Sequence, residues 1–85
     1  MDKQIQQIIL SISGKGVIDR RIEALEKAGF DVSAVFTKVN FGQAGTVKAQ
    51  GDGSFYTQIG ASHGGKHWKS GYHFNRCPVV KVTKK

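Results

Sequence analysis

The residue types that can bind a metal ion lie close together near the end of the chain. The chain contains three histidines and one cysteine. They are His63, His67, His73 and Cys77. A tetrahedral zinc site uses such ligands, but gaps of three, five and three residues match no established zinc spacing, and the familiar fingers begin with a close cysteine pair. We therefore predict no metal site and no cofactor, and a zinc-stabilised domain stays as an alternative.

The same segment holds groups that could cleave RNA by general acid–base chemistry. Imidazoles exchange protons near neutral pH, and an ammonium group can hold a phosphate. The candidates are His67 and His73 with Lys66 or Lys69. No Asp or Glu follows Asp52, so an orienting carboxylate would have to come from the first half of the chain. We predict that the protein is not an enzyme, with a ribonucleolytic domain as an alternative.

Cationic and aromatic side chains are interleaved in this part of the sequence. Cations neutralise phosphates and release condensed counterions, and unpaired bases stack on flat side chains. Gly60, Gly64, Gly65 and Gly71 could let backbone N–H groups approach a phosphate, with simple turns as the alternative. The residues that we predict to contact nucleic acid are Lys66, His67, Trp68, Lys69, Tyr72, His73, Arg76 and Lys81.

Charge is distributed unevenly along the 85 residues. Thirteen Lys and Arg against six Asp and Glu give a net charge of +7. Residues 43–85 contain Asp52 as their one acidic residue, whereas residues 1–42 are nearly balanced. Such an excess favours an anionic partner. The single cysteine excludes a disulfide-rich scaffold and suits a reducing compartment.

Two classes of partner agree with this charge. We predict a small non-catalytic accessory protein that binds DNA, RNA or a nucleoprotein complex through its basic aromatic C-terminal half. The alternative is a phage-type inhibitor or adaptor that docks on an acidic surface of a host protein. The first 14 residues are too short and too polar for a signal peptide or a membrane span, so we expect a cytoplasmic protein with no membrane partner. A monomer and a homodimer are both compatible with the sequence.

The first part of the chain, which precedes the basic aromatic segment, has the pattern of helices. Ile18, Ile22 and Leu25 recur at helical spacing, which predicts a helix over residues 17–29 that ends at Gly29, with Phe30 folding back onto its apolar face. Residues 2–13 fit a helix better than a strand, since Gln6 and Gln7 interrupt the alternation that a strand would show.

From residue 32 onward the pattern is that of strands. Residues 32–41 alternate, residues 46–50 and 54–59 flank the turn Gly51-Asp52-Gly53, and residues 66–69 and 72–75 could form a second hairpin. Pro78 precedes a last strand, after which we expect Lys84 and Lys85 to fray. The prediction is an α+β fold, with one or two N-terminal helices packed on an antiparallel sheet of about four or five strands. We expect one domain over residues 1–85, with a helical scaffold in 1–30 and the sheet in 31–85.

Overall fold

The computed structural model describes residues 2–35, 41–60 and 78–85. Within those ranges the chain forms two helices followed by four strands. The helices are α1 (Asp2–Leu10) and α2 (Val17–Lys27), and the strands are β1 (Phe30–Ala34), β2 (Val47–Ala49), β3 (Ser54–Gln58) and β4 (Val79–Lys84). The two N-terminal helices pack on a four-stranded antiparallel sheet, so the predicted α+β fold is confirmed.

Both helices have the boundaries that their sequences favour. In α1, Ile5 and Ile9 are completely buried one turn apart, which confirms the helix for this segment. In α2, Ile22 and Leu25 are buried on one face. The chain leaves α2 through Gly29, whose φ of 98° is a left-handed conformation that glycine adopts without a Cβ penalty. Phe30 then turns back into the core, as predicted.

The strands are arranged in the order β1-β4-β3-β2, and every neighbouring pair is antiparallel. The first two strands of the chain therefore lie on opposite edges, with the last strand between β1 and β3. This is the strand order of a Greek key. It makes β4 and β3 the central strands, so side chains on these two strands occupy the middle of each face of the sheet.

The core lies between the helices and one face of the sheet. The helices contribute Ile5, Ile9, Ile22 and Leu25, and the sheet side contributes Phe30, Ile59, Val80 and Val82. Each of these side chains is at most 2% exposed. Full burial of a side chain of this size stabilises a fold by roughly 1.5–3 kcal/mol, so this face of the sheet accounts for much of the stability.

The C-terminus differs from the prediction that it frays. Lys84 lies within β4 and pairs with Phe30. The backbone N–H of Lys85 donates to Gly29 O at 3.1 Å, and its Nζ lies 3.8 Å from Asp31 Oδ1. The expectation of a frayed end was wrong because β1 offers β4 an antiparallel partner along its whole length.

Several sequence-based predictions fall outside the described residues. They are the strand over residues 36–40 and the second hairpin over residues 66–69 and 72–75. Neither helix in the described ranges combines the length and the apolar character that crossing a membrane requires.

Candidate functional site

The second face of the sheet, which points away from the helical core, carries Lys81 and Tyr56 beside the fully buried Val79 and Gln58. Side chains alternate between the two faces of a strand. In β4, Val80 and Val82 therefore enter the core while Lys81 points the other way. In β3, Phe55 packs against the core while Tyr56 lies on the second face.

The strand register aligns a row of side chains across this second face. Lys81 pairs with Tyr56, and Tyr56 pairs with Lys48, so a central tyrosine has a lysine on each side. Ser33 of β1 continues the row beyond Lys81. Neighbouring strands are about 4.8 Å apart, which keeps the ring and both lysine stems in lateral reach of one another. Lys48 is exposed, and Tyr56 and Lys81 are partly exposed.

Phe41 adds a second aromatic ring next to the row. The Nζ of Lys48 lies 4.8 Å from the centroid of the Phe41 ring, which is a cation–π arrangement. The backbone N–H of Phe41 donates to Gln58 Oε1 at 3.0 Å, and Gln58 Nε2 donates to Gly60 O at 2.9 Å. Since Gln58 is fully buried, this amide fixes the start of the 41–46 loop to β3. We call Lys81, Tyr56, Lys48 and Phe41 the cation–aromatic row.

Asp52 lies at the tip of the β2–β3 hairpin, beside one end of the row. Its Oδ1 accepts hydrogen bonds from the Ser54 hydroxyl and from the Ser54 N–H, the latter at 3.0 Å. These two bonds, with a smaller contribution from Lys81, lower the pKa of the Asp52 carboxyl below its ordinary value. The carboxyl is therefore ionised at neutral pH, and its Oδ2 lies 4.0 Å from Lys81 Nζ.

Two other cations are used by the fold. Arg21 is only 9% exposed, and its guanidinium donates to Ile9 O at 2.8 Å, Ile12 O at 2.8 Å and Ile59 O at 3.0 Å. Burial lowers the pKa of Arg21, with a smaller effect from Arg20. Arg20 donates to the carbonyl oxygens of Ser13 and Lys15. Both side chains satisfy carbonyl groups at the end of α1 and in the following loop.

Of the residues predicted to contact nucleic acid, the structure describes one. Lys81 is described, and it lies in the cation–aromatic row. The other predicted contacts and the candidate metal ligands lie outside the described residues: His63, Lys66, His67, Trp68, Lys69, Tyr72, His73, Arg76 and Cys77. In residues 2–35, 41–60 and 78–85, no three His, Cys, Asp or Glu side chains come together to hold a metal ion.

Gly60 has a packing role that the sequence did not indicate. It is buried, and a Cβ at this position would lie 2.9 Å from Pro78 Cγ and 3.1 Å from Ile18 Cδ1. The absence of a side chain therefore permits close packing between the end of β3, the start of β4 and α2. The approach of its backbone N–H to a phosphate stays a prediction.

The sequence analysis missed Lys48, Tyr56 and Phe41 as members of one surface. A signal for two of them was present, since a three-residue turn centred on Asp52 places Lys48 opposite Tyr56. Phe55 and Ile59 are apolar and share one face of β3 and its extension, so the alternation of side chains places Tyr56 on the other face. No comparable pattern indicates Phe41, whose position depends on its bond to Gln58.

No protein-family model matches the sequence, and neither a curated protein nor a solved structure matches it. The class defined by the fold and the site is an α+β domain with one face covered by helices and a cation–aromatic row on the other. Its function has to be argued from the residues of that row.

Proposed function

We propose that this protein is a small, non-catalytic accessory protein that binds nucleic acid through the cation–aromatic row. The observation that carries the proposal is the register that places Tyr56 between Lys81 and Lys48, with the Phe41 ring beneath the Lys48 ammonium group. Two cations and two flat rings thus lie close together on one face of the sheet. The two chemistries that nucleic acid offers, anionic phosphates and π-faces, match these two kinds of side chain.

The charge of the rest of the chain supports the same partner. Lys66, Lys69 and Arg76 belong to the segment that enters β4, and no acidic residue occurs in residues 53–85. Any anion that reaches the row therefore meets a C-terminal half with a large positive excess. Long-range attraction of this kind raises association rates and is reduced by salt.

The two lysines of the row provide the test. Fluorescence anisotropy with labelled DNA and RNA oligonucleotides, over a series of salt concentrations, would compare the wild type with the double variant Lys48→Gln/Lys81→Gln. Each lost phosphate contact lowers the slope of log K against log salt by about 0.7–0.9. We expect the slope to fall by about 1.4–1.8 and the affinity at physiological salt to fall by at least about tenfold.

A variant with the same change in net charge is the control. Lys3 and Lys15 are exposed on the helical side of the molecule, so Lys3→Gln/Lys15→Gln removes two charges far from the row. We expect it to change affinity by less than about threefold. Equal losses in both variants would show that binding depends on overall charge and would overturn the proposal. Wild-type binding that disappears at physiological salt would also overturn it and would favour an acidic protein surface as the partner.

A further inference from the structure

We infer that the ligand of the cation–aromatic row is a single-stranded nucleic acid, bound with little dependence on base sequence. This inference rests on the proposed function and narrows its substrate class. It follows from three features of the second face: the position of the aromatic rings, the charge at the hairpin tip and the bonding of the polar side chains.

The rings of Tyr56 and Phe41 indicate unpaired bases. A side-chain ring gains stacking energy only from an exposed base face, and in a duplex these faces are covered by the neighbouring base pairs. Tyr56 lies on β3 between β4 and β2, and the Lys48 ammonium group lies over one face of the Phe41 ring. The Tyr56 ring can take a base of a strand that crosses the sheet, and the second face of the Phe41 ring offers another stacking surface near it.

The lysines have the spacing that such a strand requires. Lys81 and Lys48 are on β4 and β2, two strands apart, so their backbones are separated by roughly 10 Å. Tyr56 lies midway between them. A nucleotide whose base stacks on Tyr56 therefore has a flexible ammonium group on each side, within reach of the phosphates that precede and follow it.

The hairpin tip argues against insertion into a duplex groove. A two-stranded ribbon can enter the major groove, and the β2–β3 hairpin is such a ribbon. However, its tip carries Asp52, whose pKa is lowered by the Ser54 hydrogen bonds. Insertion would bring an ionised carboxylate between two phosphate backbones. On a single strand lying across the row, the same carboxylate stays at the margin of the site.

Three polar side chains near the row already have partners within the protein, whereas Ser33 at the β1 end of the row is exposed. Gln58 bonds to Phe41 N and Gly60 O, Gln50 Nε2 donates to Lys48 O at 3.1 Å, and the Ser54 hydroxyl donates to Asp52. Reading a base edge needs donors and acceptors that are free to face the base. With these three side chains engaged, we infer that stacking and charge, which tolerate any base, contribute most of the recognition in the described part of this face.

Fluorescence anisotropy with the full chain tests the inference. The probes are labelled 12-nucleotide single strands of three mixed sequences and the 12-base-pair duplexes of the same sequences. We expect the single strands to bind at least about tenfold more tightly than the duplexes, with less than about threefold variation among sequences. The variants are Tyr56→Leu, which removes the ring, and Tyr56→Phe, which keeps it.

The two variants separate stacking from simple packing. Since loss of one stacked base costs roughly 5- to 150-fold in affinity, Tyr56→Leu should weaken single-strand binding by at least about fivefold and leave duplex binding within twofold. Tyr56→Phe should stay within about threefold of wild type. Circular dichroism of each variant would establish that it is folded at the assay temperature.

The outcomes distinguish this inference from the proposed function. If duplexes bind as tightly as single strands and the lysine variant weakens both, the proposed function stands and the single-strand inference is overturned. Equal affinity of Tyr56→Leu and wild type for single strands would also overturn it. If Lys48→Gln/Lys81→Gln binds both single strands and duplexes with wild-type affinity, the proposed function itself fails.

Discussion

The covered face of the sheet and the second face are built from alternate residues of the same strands, yet they use charge in opposite ways. On the helical side, the cation Arg21 is buried and all its hydrogen bonds in the described structure go to backbone carbonyl groups. On the second face, Lys81 and Lys48 keep exposed ammonium groups beside aromatic rings. One cation completes the fold, whereas the others remain available to an anion.

Because of this difference, we expect the residues that stabilise the fold and the residues that bind the ligand to alternate along each strand. Adjacent residues such as Val80 and Lys81 face opposite sides, so a change at one should affect the fold and a change at the other should affect the ligand. A residue that contributes to both properties would contradict this division. Substitutions on each face test this division.

The largest effect is expected from Arg21→Met. The substitution keeps an apolar stem but removes the guanidinium donor, which leaves the carbonyl oxygens of Ile12 and Ile59 without it, while Ile9 O keeps the Ile12 N–H. Since unsatisfied buried groups each cost about 1–3 kcal/mol, the free energy of unfolding should fall by about 3 kcal/mol. Urea denaturation followed by circular dichroism would measure it.

Its neighbour Arg20 is the control for this prediction. Arg20→Met removes the same charge, but the side chain is exposed and its carbonyl partners can turn to water. We expect a loss below about 1 kcal/mol. Arg21→Lys, which cannot reproduce a planar fork, should fall between the two. Equal losses in the free energy of unfolding for Arg20→Met and Arg21→Met would contradict the role of burial. If folded Arg21→Lys binds oligonucleotides with a changed affinity, the division between the two faces is contradicted.

The next effect is expected from Gly60→Ala. The new methyl group would lie 2.9 Å from Pro78 Cγ and 3.1 Å from Ile18 Cδ1, closer than packed carbon atoms approach. Overpacking of this kind costs typically 1–3 kcal/mol, so we expect a loss of about 2 kcal/mol in urea denaturation. Adding Ile18→Val, which removes the Cδ1 contact, should recover part of it. A double variant no more stable than Gly60→Ala would show that Ile18 is not the source of the strain.

The elements most closely anticipated from the sequence are those specified by local signals. The apolar spacing in residues 17–29, the stop at Gly29 and the turn at residues 51–53 each depend on neighbours in the chain. Helical spacing also gave the correct answer for α1, because Ile5 and Ile9 share a face that packs on the sheet. These signals were sufficient for the fold class.

The row itself could not be derived in full, because its register is a long-range property. The turn at Asp52 determines the pairing of Lys48 with Tyr56, but 24 residues separate Tyr56 from Lys81 in sequence, with no short turn to set their pairing. The sequence analysis therefore identified Lys81 from its charge without its neighbours. No role was predicted for Arg21, since spacing alone does not show that carbonyl groups converge on a helical position.

A smaller effect, in the opposite direction, is expected on binding from Asp52→Asn. The Asp52 carboxylate lies 4.0 Å from Lys81 Nζ and competes with a phosphate for that ammonium group. Its removal should tighten oligonucleotide binding by about two- to fivefold at low salt, with the gain shrinking as salt screens the exposed pair. Anisotropy titrations at two salt concentrations would measure both quantities.

The matched control is Asp31→Asn, which removes an equal charge from the β1 edge. Asp31 lies near Lys85, with 3.8 Å between Oδ1 and Nζ, and Lys85 is not in the row. We expect a smaller gain than for Asp52→Asn. If the two substitutions tighten binding equally, the effect comes from net charge, and the prediction that Lys81 contacts a phosphate is contradicted.

The smallest effect concerns the pH dependence of stability at Asp52. The Ser54 hydrogen bonds lower the pKa of this carboxyl in the folded state below its unfolded value of about 3.9. The carboxylate therefore contributes stability that is present above the unfolded pKa and is lost as the pH falls through the folded one. Asn keeps an oxygen acceptor for Ser54 but has no charge. Thermal unfolding should show the wild type slightly more stable than Asp52→Asn at pH 7 and pH 5, with the difference shrinking below about pH 4. A difference unchanged down to pH 2 would mean that shape at the hairpin tip, and not the ionised carboxylate, stabilises the turn.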